Sequence, residues 1–245
     1  MTCAEPPSSG GEKSGAAESF IIAIDGPSGT GKSTVARRLA ANLGAGYLDT
    51  GAMYRMVTLA VLRAGADPVD DNALTEVLHG LMFSSPLDAQ DQRHLLAGED
   101  VSDEIRGAQV TLAVTPVSAN PLVRTWLFDR QQTLAHSGRM VVEGRDIGTV
   151  IAPDADLKIY LTADAAERAR RRHTQNVVAA VVSGDSNSDL TAVAQDLHRR
   201  DTFDSNREHA PLHAAADAIV LDSSSLELSE TVAKVLELAA SRGIR

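Results

Sequence analysis

Apolar residues in this chain fall into short runs bounded by glycine, proline or charge. Phe20-Ile21-Ile22-Ala23-Ile24, Arg139-Met140-Val141-Val142-Glu143, Leu157-Lys158-Ile159-Tyr160-Leu161 and Ala218-Ile219-Val220-Leu221 read as buried strands. Tyr47-Leu48 reads as a shorter one. Continuous apolar runs of this length suit strands covered on both faces. Between them the spacing changes to that of a helix. Val35, Leu39 and Leu43 share one face of a helix expected from Lys32 to Leu43, which Gly44 ends. Asp49-Thr50 caps a second helix running from near Gly51 to Arg63. Further helices are expected over 107–117 and 121–136, with Pro121 in a first turn, after Thr162, and from Ser229 to Ser241. Strands alternating with helices predict an α/β fold with a parallel sheet, and ligands gather at the carboxyl ends of such strands.

Three stretches break the pattern. Residues 1–18 carry Ser, Gly, Pro, Glu and Ala and read as a disordered tail. Residues 65–106 carry Pro68, Pro86 and Gly98 among short mixed runs. Leu74 to Leu81 looks helical there, and Leu81-Met82-Phe83 and His94-Leu95-Leu96 look like short strands, so a small inserted lobe is expected. Ser183 to Asp189 reads as a polar hairpin between two helical legs. The chain has no internal repeat.

The first strand runs into GPSGTGKS, Gly26 to Ser33, which fits the phosphate-binding pattern GxxxxGK(S/T). Strand, glycine-rich turn and helix are the context this motif needs. Its glycines let backbone N–H groups converge on an anion, and the helix adds its positive end. The expected triphosphate contacts are Gly26, Pro27, Ser28, Gly29, Thr30, Gly31, Lys32, Ser33 and Thr34. Lys32 would reach the outer phosphates, and the Ser33 hydroxyl would ligate Mg2+.

Composition narrows the choices. The 245 residues are 43% hydrophobic with 3% aromatic, enough for one large domain whose core relies on aliphatic side chains. The net charge of −10 argues against general binding to nucleic acid or anionic membranes. Any anion site must then be built locally. The single cysteine, Cys3, excludes an intrachain disulfide and fits a reducing compartment. No apolar run approaches the ~20 residues that span a bilayer, and no secretory signal pattern opens the chain. A cytoplasmic protein is expected.

Three clusters could receive a phosphoryl group. LDTGAMYR, Leu48 to Arg55, lies at the carboxyl end of the second strand and offers Asp49, Thr50, Tyr54 and Arg55. An ordinary helix cap would use the same residues. EGRDIGT, Glu143 to Thr149, brings Arg145 and Asp146 out at a strand end, as a structural ion pair also would. RRDTFDSNR, Arg199 to Arg207, spaces Arg200, Asp204 and Arg207 on one helical side, where a solvated charge ladder is the competing reading. Arg168, Arg171 and Arg172 share a helical face as well, a costly arrangement unless an anion is to arrive.

In their order along the chain, IDGPSGTGKST, YLDTGAMYR, GEDVSDEIR, VVEGRDIGTV, ERARRR and RRDTFDSNREHAPL together resemble the cytidylate kinases of bacterial type. The resemblance runs from about Ile21 to Leu238. It implies the P-loop nucleoside monophosphate kinase fold, a five-stranded parallel sheet flanked by helices. It also implies a monophosphate-binding insert near 65–106 and an arginine-rich lid near 163–210 around a core of 19–64, 107–162 and 211–245. It implies transfer of a phosphoryl group from ATP, with Mg2+, to CMP or dCMP by a monomer. Arg55 and Arg145 would bind the acceptor phosphate, and Asp204 with Arg200 the ribose. Thr115, Arg124, Asp146 and Arg207 would read the cytosine edge, and Asp49, Thr50 and Tyr54 would line the same side. Arg168, Arg171 and Arg172 would serve catalysis from the lid. Thr50 and Thr115 stand where a serine occurs in some members; each keeps the hydroxyl and adds a methyl group. Uridylate, adenylate or shikimate kinases are the alternative enzyme class. A GTP switch is disfavoured, because NKxD and DxxG are both missing.

Overall fold

The computed structural model describes residues 19–183, 189–207 and 210–245. The expected tail at 1–18 and the centre of the expected hairpin, 184–188, lie outside the described residues.

Strand β1 (Phe20–Asp25) is buried along its whole length. Its alternate residues feed opposite faces. Ile21 and Ala23 join one apolar cluster, whereas Phe20, Ile22 and Ile24 join a second. The main sheet has five parallel strands: β2 (Gly46–Asp49), β6 (Arg139–Glu143), β1, β7 (Leu157–Thr162) and β8 (Ile219–Asp222), in that spatial order. A strand at the centre of such a sheet delivers whatever follows it to the middle of the carboxyl edge. Here that is the glycine-rich loop. Register brings Asp49 opposite Glu143, and Glu143 opposite Ile24, so three acidic strand ends, Asp49, Glu143 and Asp25, stand together at that edge.

Helix α1 (Lys32–Leu43) presses Val35, Leu39 and Leu43 on the second face beside α8 (Leu228–Ser241), which supplies Val232 and Val235. Helices α2 (Thr50–Ala64), α4 (Ala108–Ala119) and α5 (Pro121–Ala135) cover the first face. The irregular stretch contains α3 (Asp71–His79) and a three-stranded antiparallel sheet of β3 (Phe83–Ser84), β4 (Leu95–Leu96) and β5 (Glu99–Asp100). The expected pattern held two of these strands and lacked β5. Leu74, Leu78, Leu96, Val101 and Ile105 bury into the cluster of Ile21 and Met140. The stretch is thus bolted to the sheet's own core.

Beyond β7, α6 (Ala165–Ser183) and α7 (Leu190–Asn206) pack against each other and rise beside the glycine-rich loop.

Candidate functional site

The loop after β1 is shaped by position as much as by composition. Gly26 holds φ at 145°, and a Cβ there would lie 2.0 Å from the Leu161 carbonyl of the neighbouring strand. Only glycine fits. At the far end, Gly31 caps α1 without a side-chain hydrogen bond. The first N–H groups of α1 are therefore not satisfied by a cap, which is what an anion site requires.

Lys32 is buried, and its Nζ donates to the Pro27 carbonyl at 2.7 Å, folding back across the loop. Burial, reinforced by the Arg145 charge, lowers its pKa to about 7, while Glu143, Asp201 and Asp25 oppose the shift. The ammonium thus lacks a full counter-charge.

The acidic strand ends hold the two loops together. Asp25 accepts from the Ile147 and Gly148 amides, each at 2.8 Å. Burial pushes its carboxyl up to about 6. Those amides open a wide turn, Ile147–Ile151, that follows Arg145 and Asp146. Glu143 accepts from the Tyr47 hydroxyl and from Ser33, and its carbonyl accepts from Thr50 Oγ1 at 2.7 Å. Burial and the nearby Asp49 raise its pKa to about 7. Neither Asp25 nor Glu143 was among the expected site residues. Glu143 opens the EGRDIGT string and Asp25 immediately precedes the loop, so the available signal was a charge terminating an apolar strand.

A cleft of about 210 Å3 opens above this edge. Asp49, Thr50, Tyr54, Arg55, Thr115, Arg124, Arg145, Asp146, Arg200, Asp204 and Arg207 all line it, opposite Ser28, Gly29, Gly31, Lys32, Ser33 and Thr34. Gly26, Pro27 and Thr30 lie outside its lining and support the loop from behind. Arg106, Glu143, Gly144 and Ser118 line it as well and were not expected.

Element ends place several of these residues, whereas Arg55, Thr115 and Arg200 stand inside helices. Asp49 is the N-cap of α2, accepting from the Ala52 amide at 2.9 Å. Arg55, one turn on, donates to the Ile105 carbonyl at 2.9 Å and to Thr111 Oγ1 at 3.1 Å. Burial lowers its pKa to about 9, helped by the charges of Arg200, Arg172 and Arg106. Arg172 and Arg200 are pushed below the usual arginine range, mainly by burial and also by neighbouring arginines. Like charges gathered out of water stabilise nothing by themselves; they favour an arriving anion. Asp146 is 4% exposed, pairs with Arg124 and lies 3.6 Å from Arg207. Arg124 also sits over the Tyr54 ring at 5.6 Å. A carboxylate between two arginines can accept from an amine while they donate to neighbouring ring acceptors.

The three arginines of α6 do not act as one face. Arg172 enters the cleft. Arg168 donates to the Ser28 carbonyl at 3.0 Å and pairs with Asp201. Arg171 is bound by Glu167 at 2.7 Å and by the Ser223 carbonyl at 2.7 Å, and reaches Thr30 O at 3.3 Å. The two helices therefore grip the glycine-rich loop itself. Arg145 joins them, donating 2.8 Å to Ser28 Oγ and 3.2 Å to Asp204.

The family model described as cytidylate kinase matches residues 22–241. The chain belongs to the cytidylate kinase family. The cytidylate kinase of Rhodococcus opacus (strain B4) is 52% identical over 225 residues, covering 91% of this chain and 96% of that protein. The cytidylate kinase of Mycolicibacterium paratuberculosis is 51% identical over 223 residues, with the same shares. That of Geobacillus kaustophilus is 44% identical over 221 residues, covering 90% and 96%. As a cytidylate kinase family member the chain is a kinase, a transferase that binds nucleotides, and the five-stranded parallel sheet expected from that resemblance is the one observed. Among the described residues, no helix is long and apolar enough to cross a membrane.

Proposed function

We propose that this chain transfers the γ-phosphoryl group of ATP, with Mg2+, to the 5′-phosphate of CMP and dCMP. The observation that supports this best is the single cleft in which Lys32 faces the whole acceptor-side set. The attacking atom is a phosphate oxygen, anionic at neutral pH, so no side chain has to remove a proton from it. Alignment of two polyanions and neutralisation of charge supply the rate.

On the donor side, Lys32 exchanges the Pro27 carbonyl for phosphate oxygens, and the amino end of α1 receives the rest of the chain of phosphates. Ser33, held beside the Glu143 carboxylate, fits the role of the side chain that would hold a magnesium ion, which would supply charge neutralisation when bound. Arg168, Arg171 and Arg172 would complete the neutralisation from the lid. On the acceptor side, Arg55 and Arg145 hold the monophosphate, and Asp204 with Arg200 holds the ribose. Asp146 accepts from the exocyclic amine of cytosine, where uracil presents a carbonyl. Arg124 and Arg207 donate to the remaining acceptors of that edge, with Thr115 beside them. Closing the cleft excludes water that would otherwise take the phosphoryl group. We read the protein as a cytoplasmic monomer without nucleic-acid partners, consistent with its net charge of −10.

A coupled ADP-release assay across CMP, dCMP, UMP, AMP and shikimate tests this. Turnover should be fastest with CMP or dCMP. Preference for AMP or shikimate would contradict it.

A further inference from the structure

We infer that Asp201 is a positioning residue with two effects of opposite sign: it weakens ATP binding and speeds transfer. Its carboxylate rests on the glycine-rich loop. Oδ1 accepts from the Ser28 amide at 3.1 Å, and Oδ2 pairs with Arg168. Arg168 in turn donates to the Ser28 carbonyl at 3.0 Å and to the Ala163 carbonyl at 3.1 Å. Both side chains are largely buried, 15% exposed for Asp201 and 13% for Arg168. The Asp201 charge also acts on Lys32, favouring its protonated form. A carboxylate thus occupies an amide of the very loop that collects phosphate oxygens, within reach of the lysine and the arginine that would neutralise them.

The consequences follow from charge. In the empty protein Asp201 satisfies groups that must later serve a polyanion, so it competes with triphosphate for them. Once nucleotide is bound, the same carboxylate fixes the direction of Arg168, and an arginine held in place loses little freedom when charge develops beside it. The Asp201 charge reaches Lys32, and Tyr160 lies in the field of both Asp201 and Arg168.

This inference rests on the phosphoryl-transfer reading above, but its first test does not need the acceptor. In Asp201→Asn, ATP affinity measured by calorimetry without CMP should improve about tenfold, while kcat for CDP formation falls about tenfold. A purely structural role would weaken both and lower the melting temperature. Unchanged or weaker ATP binding overturns the competing effect, and unchanged kcat overturns the positioning effect. A double-mutant cycle sharpens the second point. Arg168→Gln with Asp201→Asn should turn over at the rate of Arg168→Gln alone, and additive losses would show that Asp201 does not act through Arg168. Wild-type protein that binds ATP yet makes no CDP would sink the phosphoryl-transfer reading instead, and the ATP-affinity comparison would still decide the competing effect.

Discussion

The two walls of the cleft are built in opposite ways. The donor wall is one contiguous turn, Gly26 to Ser33, set at the middle of the sheet by β1. The acceptor wall is gathered from β2, α2, α4, α5, the loop after β6 and α7, from Asp49 to Arg207. On the proposed reading, the donor wall would work mainly through backbone amides, which a mutation of most side chains leaves intact. The acceptor wall would work through side chains, many of them arginines held largely out of water. A contiguous site tolerates changes elsewhere. A gathered site depends on every element that carries a piece of it, and it can read a base, which a backbone loop cannot.

The largest effect should come from Lys32, the donor-side side chain proposed to meet phosphate. Lys32→Ala should lower kcat by about 1,000-fold. Its melting temperature should hold or rise, because an under-compensated buried charge is removed. Kinase activity near wild type would contradict the role. On the acceptor wall, Asp146→Ala should lower kcat/KM for CMP by about 100-fold and for UMP by much less, because only cytosine presents the amine. Equal losses would remove the base-reading role and reduce the acceptor wall to a phosphate clamp.

The contrast explains how much of the molecule was legible in advance. A motif whose parts are neighbours in sequence can be read directly, and the strand, loop and helix from Phe20 to Leu43 fall where the pattern puts them. The Asp49 cap was legible for the same reason. Residues of the acceptor wall were legible through the family resemblance, since nothing in local spacing says that Arg124 meets Asp146. Asp25 and Glu143 were missed because a charge at a strand end looks like the edge of a turn until register sets it beside another strand. The α6 arginines share a face on a helical wheel. The structure nonetheless divides them, because Ser223 captures Arg171 and Asp201 captures Arg168 from other elements, while Glu167 holds Arg171 from within α6. The two-residue strand β5 carries too little sequence to announce itself.

A subtler difference between the walls is their response to pH. Burial lowers Lys32 from 10.5 to about 7 in the nucleotide-free protein. Bound triphosphate restores the charged form, so binding takes up a proton above the lowered value and below 10.5. Glu143, raised to about 7, is already ionised at pH 8.5 and above. Between pH 8.5 and 9.5, ATP affinity should therefore fall as pH rises. Calorimetry in buffers of different ionisation enthalpy should show net uptake, whereas proton release in that window would contradict the lowered value. CMP, which meets Arg55 lowered only to about 9, should begin its own proton uptake at a higher pH than ATP does.

The smallest expected effect is structural. Tyr47→Phe removes the hydroxyl that Glu143 accepts from inside the sheet edge, with Tyr47 1% exposed. Chemical denaturation should find a loss of about 1–3 kcal/mol. KM for CMP should change by less than about twofold, since a loss this size in stability does not reach the acceptor arginines. A large rise in KM would mean that Glu143 also shapes the acceptor wall.

Everything proposed for this site comes down to direct transfer between two nucleotides pressed together in one cleft. Rapid-quench mixing of γ-32P-labelled ATP, Mg2+ and excess protein with CMP measures it in a single turnover. The label should appear in CDP with almost none in inorganic phosphate. Label passing to inorganic phosphate at the same rate with and without CMP would contradict the claim.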